Sequence, residues 1–112
     1  MSAAQTNSVE KLIALLSNRP AHILCGDFNI PRGYNSNYEL ITKHYTDTIP
    51  ATFTSSLDRT LHRDGSKTNL HTPIFDVYMV DYIFTKEPYQ VSDVQLQFGI
   101  SDHAGVIATI SK

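Results

Sequence analysis

Apolar positions along the chain fall into short runs separated by polar stretches, and the spacing inside each run predicts its structure. Val9, Leu12, Ile13 and Leu16 recur at helical intervals. This predicts an amphipathic covering helix over Ser8 to Leu16, with Ser8 as N-cap and Asn18-Arg19-Pro20 as its stop. His22-Ile23-Leu24-Cys25-Gly26 is a short apolar run bounded by Pro20 and by polar residues, which predicts a buried strand. Asp27 to Asn37 turns polar around Pro31 and Gly33 and reads as loop. Tyr38 to Tyr45, carrying Leu40 and Ile41, predicts a short helix.

Thr46 to Pro73 is rich in Thr, Ser, Asp, Arg and His and contains the turn signal Asp64-Gly65. It is expected to be mostly loop, with short strands near Thr52-Phe53 and Thr60-Leu61. A long irregular segment in a small domain usually carries function or disorder. Phe75 to Thr85 is the densest strand signal, ended by Glu87-Pro88. Val91, Val94, Leu96 and Phe98 predict a further strand, Gly99 to His103 a turn, and Ala104 to Ile110 a last β-branched strand. Helix, strand, helix, loop and three strands together indicate a mixed α/β layer, and no internal repeat or low-complexity tract interrupts it.

Composition narrows the picture. The 112 residues are 41% hydrophobic and 18% charged, which suits one small globular domain with a modest core. A net charge of -2 excludes phosphate-backbone binding by bulk positive charge, so a phosphate-bearing substrate would need a local site. The single cysteine, Cys25, excludes an intrachain disulfide and fits a reducing, cytoplasmic setting. No signal-peptide pattern and no membrane-spanning run is expected.

Candidate chemistry lies in three clusters at strand ends: Gly26-Asp27-Phe28-Asn29, Val80-Asp81-Tyr82-Ile83-Phe84 and Ser101-Asp102-His103-Ala104-Gly105-Val106. Asp27 and Asn29 alternate with Phe28, so both can project to one side while Phe28 anchors in the core. Each pair is also an ordinary loop former. Asp81 is more informative, because an ionised carboxylate in an apolar strand is costly unless paired. His103 is the obvious partner, since a carboxylate bound to an imidazole fixes its tautomer; bonding of Asp81 to backbone amides at the strand end is the plainer alternative. Asp102 taken alone reads equally as a turn residue. His22, His44, His62 and His71 lack metal-ligand spacing and read as surface or packing residues. Arg59, His62, Arg63 and Lys67 read as a solvated charged loop, and Tyr34, Tyr38 and Cys25 as packing residues.

The three clusters in this order resemble the endonuclease/exonuclease/phosphatase superfamily, the DNase I-like fold. In that family a Gly-Asp-x-Asn motif follows a core strand, an Asp-Tyr-Ile-Phe-type strand comes later, and a Ser-Asp-His motif precedes the last strand. Thr52-Phe53 is similar to a Thr-Phe element between the first two motifs. The resemblance covers the chain from Ser8 onward. It implies the C-terminal half of a four-layer α/β sandwich with mostly antiparallel sheets, so that residues 1–112 form a single partial domain. It also implies metal-dependent hydrolysis of phosphate esters, by an endonuclease, phosphodiesterase or phosphatase. By resemblance, Asp27 orients or deprotonates the attacking water, Asn29 hydrogen-bonds the scissile phosphate, and His103 contacts the phosphate. Asp81 orients His103, and Asp102 is a ligand of Mg2+, or of Mn2+ in its place.

The sequence departs from the family pattern in one respect. The early Asn, the metal-binding Glu and a further His that the family places in its first half have no counterpart here; Glu10 follows no buried strand. The expected partners are therefore a phosphate-ester substrate, nucleic acid among the possibilities, the missing N-terminal half, and a second copy in a symmetric dimer. That dimer would cover Val77, Met79, Ile83, Val106 or Ile110. A non-catalytic binding or scaffold module of the same fold is the alternative.

Overall fold

The computed structural model describes residues 3–33, 36–62 and 78–112. Helix α1 spans Ala3–Leu16, strand β1 Ile23–Asp27, helix α2 Ser36–Thr42 and strand β2 Thr46–Asp47; strands β3, β4 and β5 span Asp81–Thr85, Gln90–Gln97 and Gly105–Ser111. Among the described residues the chain is a small α+β domain with two antiparallel sheets. One sheet has the order β1-β3-β2, and β4 pairs with β5 in the other.

Helix α1 begins earlier than the pattern predicts. Ala3 and Ala4 are strong helix formers, so the helix runs through Ser8. The Ser8 hydroxyl does not cap it but bonds back to the Ala4 carbonyl at 3.0 Å. Val9 is buried, and Ile13 packs beside it. Helix α2 buries Ile41 into the same cluster.

In β3, residues on alternate faces meet different partners. Tyr82 and Phe84 face the helices and stack with ring centroids 4.9 Å apart, and Phe28 meets Phe84 edge-on at 5.3 Å. These rings, with Val9, Ile41 and Tyr45, make the core. The intervening residues Asp81 and Ile83 pair in register with Asp27 and Cys25 of β1. They share a cleft of about 260 Å3 with Ala104 and Val106. The chemistry-bearing face of β1 and β3 therefore lies away from the helices and toward the end of β5.

Three expectations change. No strand forms at Thr52-Phe53 or Thr60-Leu61; the short strand is β2, and Leu57 makes an isolated bridge to His103. The strand expected over Phe75 to Thr85 is regular only from Asp81. Tyr78, Met79 and Val80 bond instead to Ser56, Arg32 and Phe28, while Phe75 to Val77 lie outside the described residues. Finally, Met79 and Ile83, named for a dimer face, are already buried inside this chain at 1% and 9% exposure. Ile110 is exposed, Val106 is half-buried, and Val77 lies outside the described residues, as do Tyr34, Arg63, Asp64-Gly65, Lys67 and His71. No helix among the described residues is long and apolar enough to cross a membrane.

Candidate functional site

The site begins with Gly26. Its φ of 143° lies where side chains are strongly disfavoured, and a Cβ there would meet nothing within 4 Å. Backbone conformation rather than crowding therefore selects glycine. The turn that follows is held by the next residue's side chain, since Asp27 Oδ1 accepts a bond from the Asn29 amide at 2.8 Å. Asn29 has φ 51°, a left-handed conformation that Asn tolerates better than most residues. Phe28 anchors this turn twice, by its ring in the core and by its amide, which donates to the Val80 carbonyl at 3.0 Å.

Asp81 opens β3 directly opposite Asp27. Its carboxylate accepts a hydrogen bond from His103 Nδ1 at 2.6 Å, the partnership that a carboxylate in an apolar strand requires. His103 Nε2 lies 3.8 Å from Asp27 Oδ2, too long for a hydrogen bond, so its proton is not committed there. Burial disfavours the imidazolium. The Asp81 hydrogen bond and charge, aided by Asp27 and Asp102, outweigh that penalty and raise the His103 pKa above its ordinary value. Asp27 is the open member of the trio, with its side chain 49% exposed.

A strap from Ser56 to Asp58 holds Asp81 and His103 in place. Ser56 is fully buried, and its hydroxyl oxygen accepts bonds from the Val80 and Asp81 amides at 3.1 and 3.3 Å. Its carbonyl accepts the Ala104 amide at 2.7 Å, and the Asp58 amide donates to the Asp102 carbonyl at 2.8 Å. The buried Asp58 carboxylate accepts bonds from the Gly99, Thr60 and Leu61 amides at 2.8, 2.9 and 3.0 Å. Those amides hold the carboxyl below its ordinary pKa. On the other side, Arg32 pairs with Asp47 at 3.1 Å and donates to the Ile49 and Pro50 carbonyls at 2.7 and 2.8 Å. Tyr38 donates to the same Asp47 at 2.6 Å; burial foremost, then Asp47, pushes its phenol up to about 12.

The structure brings Asp27, Asp81 and His103 together, with one ligand atom from each lying within 4.8 Å of the others. Asn29 adjoins them through the turn. Asp102 is exposed and not one of the trio. Sequence reading missed Tyr78, whose hydroxyl donates to Asn29 Oδ1 at 2.6 Å. Burial, then the Asp27 charge, raises that phenol's pKa and keeps it protonated. Tyr78 is hidden in an apolar run where a tyrosine signals packing, and the buried hydroxyl of Ser56 is equally silent in a polar loop. His22 bonds to the Pro20 carbonyl and the Tyr45 hydroxyl at 2.8 and 2.6 Å, which is a packing role. A wider groove of about 1090 Å3, bordered by Phe53, Leu61, Leu96 and Phe98, holds none of the trio.

No family model matches the chain, and no curated protein or solved structure matches it.

Proposed function

We propose that Asp27, Asn29, Asp81 and His103 form part of a phosphate-ester hydrolase site of DNase I-like type. The observation that carries this reading is the 2.6 Å bond from His103 Nδ1 to Asp81 with Asp27 on the other side of the ring. Asp81 holds the tautomer and leaves Nε2 toward the open side of the trio. The raised His103 pKa favours the imidazolium, which presents its Nε2 proton to a phosphoryl or leaving-group oxygen. Asp27, the exposed carboxylate, orients an attacking water and takes its proton. Asn29 supplies a neutral donor to a non-bridging oxygen, where negative charge grows.

The donor set fits a hard divalent ion in part. Asp27 and Asp81 offer the carboxylate oxygens that Mg2+ and Mn2+ prefer, and Mg2+ commonly binds through one or two carboxylates plus substrate phosphate. His103, with Nδ1 bonded to Asp81 and a proton at Nε2, would add no ligand, so the two carboxylates alone would hold Mg2+ or Mn2+. Such an ion would neutralise charge on the phosphoryl oxygens.

The test is hydrolysis of phosphate mono- and diesters in Mg2+ or Mn2+ by the protein that carries this chain. Asp27→Asn and His103→Asn are each expected to lower turnover ~10²–10⁴-fold. Near-parental turnover in both variants on every cleaved ester would sink the reading. The 112-residue chain alone is expected to be slow or inactive, because the family's Glu has no counterpart in it. The position of Asp102 outside the trio favours one second reading, a phosphate-binding module without turnover. Phosphate binding with no hydrolysis under any metal would select it.

A further inference from the structure

Asn29 is held at three of its four polar groups. Its backbone amide donates to Asp27 Oδ1 at 2.8 Å, and its backbone carbonyl accepts from Gln5 Nε2 at 3.3 Å. Its side-chain oxygen accepts from the Tyr78 hydroxyl at 2.6 Å. Among the described residues, none accepts a bond from Nδ2. A carboxamide can face a ligand with either end, and the two ends choose opposite ligands: the oxygen suits a cation or a donor, the NH2 group an oxyanion. The Tyr78 bond fixes which way the carboxamide is turned, and the NH2 group is the end left without a partner among the described residues.

Resting on the phosphoryl-site reading above, the geometry points to Tyr78 as a positioning residue that locks the Asn29 carboxamide with its NH2 group outward, so that position 29 receives an oxyanion and not a metal ion. Tyr78 is suited to the task. Its ring is half-buried, and its backbone is tied down because its carbonyl accepts the Ser56 amide at 3.2 Å. The phenol thus comes from the same segment that leads into Asp81, three residues on, so the carboxamide and the Asp81–His103 pair take their positions from one hydrogen-bonded stretch. The sequence separation of 49 between Tyr78 and Asn29 means that only the folded chain sets this orientation. The lock also keeps the Asn29 oxygen from competing with Asp27 and Asp81 for a divalent ion, which separates an anion-facing residue from the cation-facing carboxylates.

The experiment compares the wild-type chain with Tyr78→Phe, Asn29→Asp and the double variant. Two readouts are taken: the Asn29 side-chain amide signals in 15N–1H spectra, and titration with inorganic phosphate in Mg2+. Tyr78→Phe should move the Asn29 amide signals toward those of a free carboxamide without phosphate present. It should also weaken phosphate binding about 3- to 10-fold, the range for loss of one ordinary hydrogen bond. Asn29→Asp, which keeps the acceptor for Tyr78 but loses the donor, should weaken it more. Adding Tyr78→Phe to that variant should cost no further affinity. Asn29 signals unmoved by Tyr78→Phe overturn the proposal whatever phosphate does, and so do additive losses in the double variant. Failure of the wild-type chain to bind phosphate overturns the phosphoryl-site reading and the ligand choice with it. The amide signals distinguish that failure from the first, because they read the phenol–carboxamide bond alone.

Discussion

Replacing Asp58 by alanine should weaken the fold more than its position in a polar loop suggests. The residue is only 5% exposed, and its carboxylate accepts three backbone amides. The bond from Gly99 links segments 41 residues apart and is the expensive one to lose; a hydrogen bond to a charged group contributes roughly 1.5–3 kcal/mol. Thr60 and Leu61 are exposed, so their amides regain water and each loss costs about 0.5–1 kcal/mol. The expected total is about 3 kcal/mol, a large share of the ~5–15 kcal/mol that holds a domain of this kind. Urea unfolding followed by circular dichroism reads the change directly, and a fall in Tm of roughly 10–15 °C should accompany it. Acid supplies an independent check. Because the folded-state pKa is depressed, the stabilisation is complete above the unfolded-state value of about 3.9 and is lost as pH falls through that value toward the folded one. Asp58→Asn, which cannot ionise, should therefore be less stable than wild type at pH 6, with the gap narrowing below about pH 4. A cost under about 1 kcal/mol for Asp58→Ala, or a gap to Asp58→Asn that stays constant from neutral pH into acid, would refute the argument.

Two further substitutions test neighbouring parts of the structure. Tyr82→Phe removes a buried hydroxyl whose one proton is shared between the Ile30 and Met79 carbonyls, and should cost about 1–2 kcal/mol in the same urea experiment; a neutral result would mean the hydroxyl does not fasten the loop after β1. Asp81→Asn removes the main group that favours the His103 imidazolium, so the histidine pKa followed by proton NMR should fall from its raised value, below the ordinary one if burial then prevails. An unchanged titration would show that the 2.6 Å bond does not govern the imidazole.

Much of the site was legible because its physics is local. Asp81 announced its need for a partner by sitting in an apolar strand, and His103 met that need. The apolar β1 run and the patterns of the last two strands gave ranges that agree closely with the structure, although β1 is half-buried at Ile23 and Leu24 and exposed from Cys25 on, not buried as expected. The misreadings arise where distant residues decide. Ser8 is the exception, a local misreading: its cap chemistry masked the helix propensity of Ala3 and Ala4, where the helix begins. Tyr78 to Val80 have strand-forming side chains, yet their backbone groups are claimed by Ser56, Arg32 and Phe28. Asp58 looks like one more polar loop residue until Gly99 is brought to it. Sequence spacing likewise could not separate Asp102 from His103, although one is exposed and the other half-buried.

The left-handed turn at Asn29 narrows what evolution can write at that position. The backbone angle admits glycine at no steric cost, and asparagine and aspartate more readily than other side chains. The proposed chemistry asks for an outward amide donor, which glycine lacks and aspartate replaces with a charge that repels phosphate. Only asparagine satisfies both filters. A library randomised at this codon and sorted for folding alone should return glycine, asparagine and aspartate, whereas sorting for phosphate capture should return asparagine. Position 29 thus separates the alphabet tolerated by the chain's shape from the single letter that the proposed chemistry demands.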